Sequence, residues 1–143
     1  MTSIERGRPA WSTPQSSLST EGPAVADFAR TFLHASTGVR AGQALELTPW
    51  QAWLIDQLYE TRDDGLYRYK RSLVGLPRKA GKSMLGSLIA LYALIEGEEG
   101  AKEVYSAAGD RQQARIVFGE AKRQVLASPA LSGICKVYRD AIE

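Results

Sequence analysis

Lys82 and Ser83 follow Gly81 at the end of the stretch Leu76-Pro77-Arg78-Lys79-Ala80-Gly81-Lys82-Ser83, an order of residue types that can hold a polyphosphate. A loop whose backbone N–H groups converge on one concavity, continued by a helix N-terminus, binds anionic oxygens through fixed partial charges before any side chain takes part. Lys82 would then reach the β- and γ-phosphate oxygens, and the Ser83 hydroxyl would bind a magnesium ion that bridges them. Arg78 and Lys79 place two more cations in the loop, where they can stabilise charge gathering on a transferring phosphoryl group. Strict spacing of such a loop requires a glycine where this chain has Leu76, and Gly75 lies one residue too early. Pro77 can fix the turn instead, and Gly81 keeps a side chain out of the place where it would most obstruct the phosphates. The competing reading is a Gly-Lys-Ser that only caps a core helix.

Gln51 lies upstream of the loop, and a glutamine can offer both a donor and an acceptor to an adenine edge, which would favour ATP over GTP. The expected ATP-contacting set is therefore Gln51, Pro77, Arg78, Lys79, Ala80, Gly81, Lys82 and Ser83, with Arg78 and Lys82 as the catalytic candidates and Ser83 on Mg2+. The tryptophans beside Gln51, Trp50 and Trp53, fall on an apolar stripe and read as core anchors. Arg68, Lys70 and Arg71 form a basic run too short to argue for a DNA contact. His34, the one histidine, has no partner cluster that would make it a metal ligand. Gln113 opens a helix, where capping explains it as well as any sensing role.

A phosphate loop works only between a strand and a helix, and the flanking sequence supplies both. Leu73-Val74 sit in a short apolar stretch within 67–76 that reads as a strand feeding the loop. From Lys82 to Glu96 the residues are apolar almost all round, which predicts a helix buried against a sheet. A second strand over Glu103–Ala107 and a helix capped by Asp110, with Ala114, Val117, Phe118, Ala121 and Val125 inward, complete a strand-helix-strand-helix order. A right-handed crossover would set the two strands parallel in one sheet. Upstream, Val25, Phe28, Ala29, Phe32 and Leu33 recur at helical spacing, in a helix expected to end near Ser36. Thr48-Pro49 then caps a second helix carrying Trp50, Trp53, Leu54 and Leu58, which ends in the charged turn 61–65. The expected organisation is a flexible polar tail over 1–22, a helical lead-in over 23–66, and a partial α/β P-loop core over 67–143.

The 143 residues are 44% hydrophobic with a formal charge of +2, so there is room for about one domain and no overall charge bias towards nucleic acid. One cysteine, Cys135, excludes an internal disulfide and fits a reducing cytosol. The longest apolar stretch, from Met84 to Ile95, is shorter than the roughly 20 residues a bilayer requires.

Three stretches together resemble the N-terminal ATPase part of the large terminase subunit of tailed bacteriophages, the motor that packages DNA into procapsids. They are Gly42 to Gln51, similar to an adenine-contacting segment; Leu76 to Ser83, similar to a glycine-poor phosphate loop bearing an arginine; and Val104 to Ala114, similar to the strand and helix that follow. The resemblance spans about Phe28 to Ala127. It implies Gln51 on adenine, Arg78 on the γ-phosphate, Lys82 on phosphates and Ser83 on magnesium. It further implies double-stranded DNA, a portal protein and a small terminase subunit as partners, and the host bacterial cytoplasm as location. The family's Walker B strand ending in Asp-Glu and its nuclease domain have no counterpart before Glu143, so the chain is expected to be partial and to bind ATP without turning it over. A DNA helicase or translocase fragment, and a non-enzymatic interaction module with a vestigial loop, are the alternatives.

Overall fold

The computed structural model describes residues 19–36, 38–97 and 103–143. Five helices follow in order: α1 (Gly22–Phe32), α2 (Pro49–Leu58), α3 (Lys82–Ile95), α4 (Arg111–Ala127) and α5 (Pro129–Ile134). The element that positions the loop is α3, which packs most extensively on α4 and also against α1, while α2 lies along α1.

Val25, Phe28, Ala29 and Leu33 are buried as the helical spacing requires, and they meet Leu85, Leu88, Leu91 and Tyr92 of α3 and Ile55 and Tyr59 of the α2 end in one apolar cluster. The aromatic part is joined edge to face, Tyr92 meeting Phe28 at 5.6 Å and Tyr59 at 5.5 Å between ring centroids. The α1 helix stops at Phe32 and not near Ser36, because the next residues pair with another segment. Leu33 accepts from the Leu45 N–H at 2.9 Å, and Ala35 donates to Gln43 and accepts from Gly42, which returns the chain through a turn with Gly38 and Gly42 at positive φ. Ser19 to Gly22, expected in a flexible tail, are instead fixed: the Thr20 hydroxyl donates to the Asp56 carbonyl, and Thr61 donates to Ser19. The remainder of that expected tail, residues 1–18, lies outside the described residues.

On α2 the buried line is Gln51 and Ile55, not the tryptophans. Trp50 is half-buried and packs on the cluster, whereas Trp53 is half-buried outside it. The turn after α2 closes as a tight hairpin, with Arg62 donating to Leu66 and Arg68 to Glu60, so Tyr67 and Arg68 belong to this antiparallel return and not to a strand entering the loop. Arg68 pairs with the buried Glu60 carboxylate, a structural role for the first cation of the basic run.

The two stretches expected as strands, within 67–76 and over 103–107, form no ladder, and the pairings outside helices among the described residues are isolated antiparallel bridges. A strand is made by its partner, and here Leu73 and Tyr105 stand in the open, 101% and 81% exposed. For the same reason α3 is buried against helices and not against a sheet. Its other face, with Ile89, Ala90, Ala93 and Leu94, joins Val104, Val117 and Phe118 along an open groove of about 870 Å³. At Gly86 α3 comes so close to α4 that an added methyl would stand 3.3 Å from both Val117 methyls.

Helix α4 starts as its cap predicts, the Asp110 carboxylate accepting from the Gln113 N–H at 2.9 Å. Ala121 and Val125 are buried, Val117 and Phe118 half-buried, and two polar residues, Glu120 and Gln124, join the buried face. Gln124 accepts from the His34 N–H and donates to the His34 carbonyl, both at 2.8 Å, and so clips the end of α1 to α4. Burial raises the Glu120 carboxyl, but hydrogen bonds from Arg123, Gln124 and Ser36 outweigh it and hold its pKa below the ordinary range. Because Gln124→Ala strands both backbone groups of His34 and deprives Glu120 of a donor, it is expected to destabilise the fold by about 2–3 kcal/mol in urea unfolding. A midpoint unchanged from the parent chain would show that water replaces the clip without penalty. The short α5, not anticipated from the pattern, is started by Ser128 with Pro129 behind it.

Candidate functional site

The phosphate-loop candidate sits where α3 begins. Two residues in the left-handed region shape it: Lys79 at φ 65° and Gly81 at φ 81°. Lys79 adopts this conformation despite its side chain, so the bend is imposed by the loop and not by residue choice. Gly81 is the N-cap of α3, and its carbonyl accepts the first helical hydrogen bond, from Leu85 at 2.9 Å. The free N–H groups at this helix start and the positive end of the helix dipole therefore face the concavity of the loop.

Pro77, Arg78, Lys79 and Lys82 are exposed, while Ala80, Gly81 and Ser83 are half-buried. Leu76, standing where strict spacing asks for glycine, packs against the apolar cluster and anchors the start of the loop. Lys82 Nζ donates to the Leu76 carbonyl at 3.0 Å, bending across the loop from its last residue to its first. Among the described residues no carboxylate forms an ion pair with Arg78, Lys79 or Lys82. Three uncompensated cations around a helix N-terminus make a site built for an anion carrying several charges.

Gln51 reaches this site from α2. It is 7% exposed, its Oε1 accepts from the Thr48 N–H at 2.9 Å, and its Nε2 lies 3.2 Å from where a β-carbon on Gly81 would stand. The structure sets Gln51 against Gly81 of the consecutive stretch 77–83, and sequence reasoning missed how Gln51 is held. Its signal was available, since Thr48-Pro49-Trp50-Gln51 has the spacing of a capping box, in which the third helical residue turns back onto the cap. Lys70 and Arg71 are exposed without an ion-pair partner among the described residues, and the Gln113 side chain is exposed.

A family model described as the terminase large subunit, ATPase domain, matches residues 49–143, from the first residue of α2 onward. The chain is similar to the HK97 bacteriophage large terminase in its crystal structure, with a TM-score of 0.70 and 28% identity over 87% of this chain. That alignment covers 25% of the solved chain, so this chain spans about a quarter of its length. No curated protein matches it.

Proposed function

We propose, because this chain belongs to the family of terminase large subunit ATPase domains, that its loop at 76–83 binds Mg2+-ATP as part of a motor that packages viral DNA. The observation that carries the reading is the cation-rich, carboxylate-free loop closed by left-handed Gly81 and leading into α3. The donors fit the ligand: backbone N–H groups and Lys82 for phosphate oxygens, and the half-buried Ser83 hydroxyl as a hard ligand for magnesium. Lys82 would release the Leu76 carbonyl and turn to the β- and γ-phosphates, and Arg78, exposed at the loop's outer rim, would follow charge on the γ-phosphate. Gln51, which the resemblance sets on adenine, has its Oε1 engaged by the Thr48 N–H, so any ligand contact falls to Nε2.

The finer architecture follows from the same reading. The stretches within 67–76 and over 103–107 would lie parallel in one sheet once further strands fill the groove along α3 and α4, which would give apolar Leu73, Val104 and Tyr105 their cover. Double-stranded DNA, a portal protein and a small terminase subunit would be the partners of the complete motor in the host cytoplasm. No helix among the described residues is long and apolar enough to cross a membrane.

Calorimetric titration of the chain with ATP, with and without magnesium, tests the reading. Binding should be about tenfold tighter with magnesium, and Ser83→Ala should erase that difference while leaving the metal-free affinity in place. Absence of nucleotide binding, or binding indifferent to magnesium in the parent chain, would remove the phosphate-loop assignment.

A further inference from the structure

A glutamine that reads an adenine edge offers both its oxygen and its nitrogen, yet Gln51 has only its nitrogen left to offer. Its Oε1 is fixed by the Thr48 N–H at 2.9 Å, which sets the plane of the amide. With that plane fixed, Nε2 is aimed at the phosphate loop, against the α-carbon side of Gly81, where even a methyl group would stand only 3.2 Å away. The side chain is buried, in a region where the loop residues 77–79 are exposed and make none of the turn or loop backbone hydrogen bonds found among the described residues. Gly81 is the hinge of the loop, in the left-handed region that decides where the N–H groups of Lys82 and Ser83 point. The Gln51 amide is therefore a wedge between the start of α2 and the residue that sets the shape of the anion cradle.

We infer that Gln51 is a positioning residue for the phosphate loop: it holds Gly81 in its left-handed turn, and so governs the binding of polyphosphate whether or not a base is attached. The inference rests on reading 76–83 as a phosphate loop, and it separates two effects that an adenine contact would merge. A base reader acts on ATP and leaves a bare polyphosphate alone, whereas a wedge acts on both alike. A simple cap of α2 needs only the acceptor atom, so glutamate in its place would serve as well, while a wedge beside an anion site would not tolerate the added negative charge.

The test uses the full chain and its Gln51→Ala and Gln51→Glu variants, with three measurements on each: thermal melting, amide hydrogen exchange over residues 79–83, and titration with Mg2+-ATP and with magnesium and inorganic tripolyphosphate. For Gln51→Ala, exchange at 79–83 should rise at least tenfold, and ATP and tripolyphosphate should weaken by the same factor of about 10 to 30. For Gln51→Glu, the melting temperature should stay near that of the parent chain while tripolyphosphate binding falls at least as far. Weakened ATP with unchanged tripolyphosphate would make Gln51 a base reader and overturn the inference. Recovery of both stability and tripolyphosphate binding by Gln51→Glu would reduce it to a cap. If the parent chain binds neither ligand, the phosphate-loop reading fails by itself, and exchange at 79–83 still decides whether Gln51 holds the turn.

Discussion

Lys82→Ala is expected to lower the affinity of the chain for Mg2+-ATP by at least about 100-fold, with no measurable change in melting temperature. In the structure the ammonium group has one hydrogen-bond acceptor, the Leu76 carbonyl at 3.0 Å, and it is exposed. Removing it leaves a carbonyl that water can reach, so folding loses little. Binding is another matter. A charge-assisted hydrogen bond to phosphate in a cradle at a helix N-terminus contributes several kcal/mol, and each 1.4 kcal/mol is about a factor of ten. Arg78 and Lys79 precede the N-cap Gly81, whereas Lys82 is the first residue of α3 and already spans the loop to Leu76. Arg78→Ala should accordingly cost less in binding than Lys82→Ala. Equal ATP affinity in the parent chain and Lys82→Ala would leave Gly81-Lys82-Ser83 as nothing more than a helix start.

What could be read from the sequence was local, and what could not depended on partners. The Thr48-Pro49 start of α2, the Asp110 cap of α4 and the glycine before Lys82 each declare themselves within four residues, and each stands where it was expected. The inward faces of α1 and α4 were legible for a similar reason, since helical spacing needs no knowledge of the neighbour. The strands were not, because Leu73 and Val104 carry strand-like side chains but a ladder is a property of two segments. The buried polar residues were also invisible: nothing in the spacing of Gln124 says that its amide will close on the His34 backbone, 90 residues away. Gln51 is the instructive intermediate. Its residue type suggested a base contact, its spacing from Thr48 carried a capping signal that went unread, and only the tertiary contact with Gly81 joins it to the loop. The resemblance to large terminases agrees with the family match and the HK97 likeness, whose aligned region takes in 87% of this chain and so extends upstream of α2.

The polypeptide of residues 1–143 is expected to bind Mg2+-ATP without hydrolysing it at any rate above the blank. Hydrolysis needs a carboxylate to orient the attacking water and a second group on magnesium. The described acids that follow the loop are engaged elsewhere or too far away. Glu120 is held by Arg123 and Gln124 on the buried face of α4, and Asp140 is drawn down by the Arg115 hydrogen bond, with Arg111 and Arg139 near it. Asp110 is spent on the α4 cap, and Glu103 accepts from the Tyr105 hydroxyl. Glu96 closes the far end of α3, 14 residues along the helix and so roughly 20 Å from Lys82. Glu143 lines the groove along α3 and α4, its backbone paired with that of Lys136. No described acid after the loop is seen free to take these roles, so phosphate release under saturating Mg2+-ATP should match that of buffer. Release that exceeds the blank and disappears in Lys82→Ala would mean that one of these carboxylates leaves its partner when nucleotide binds. Glu103→Gln and Glu120→Gln would then identify it, the former being the first to try because the 103–108 segment carries no ladder to hold it in place.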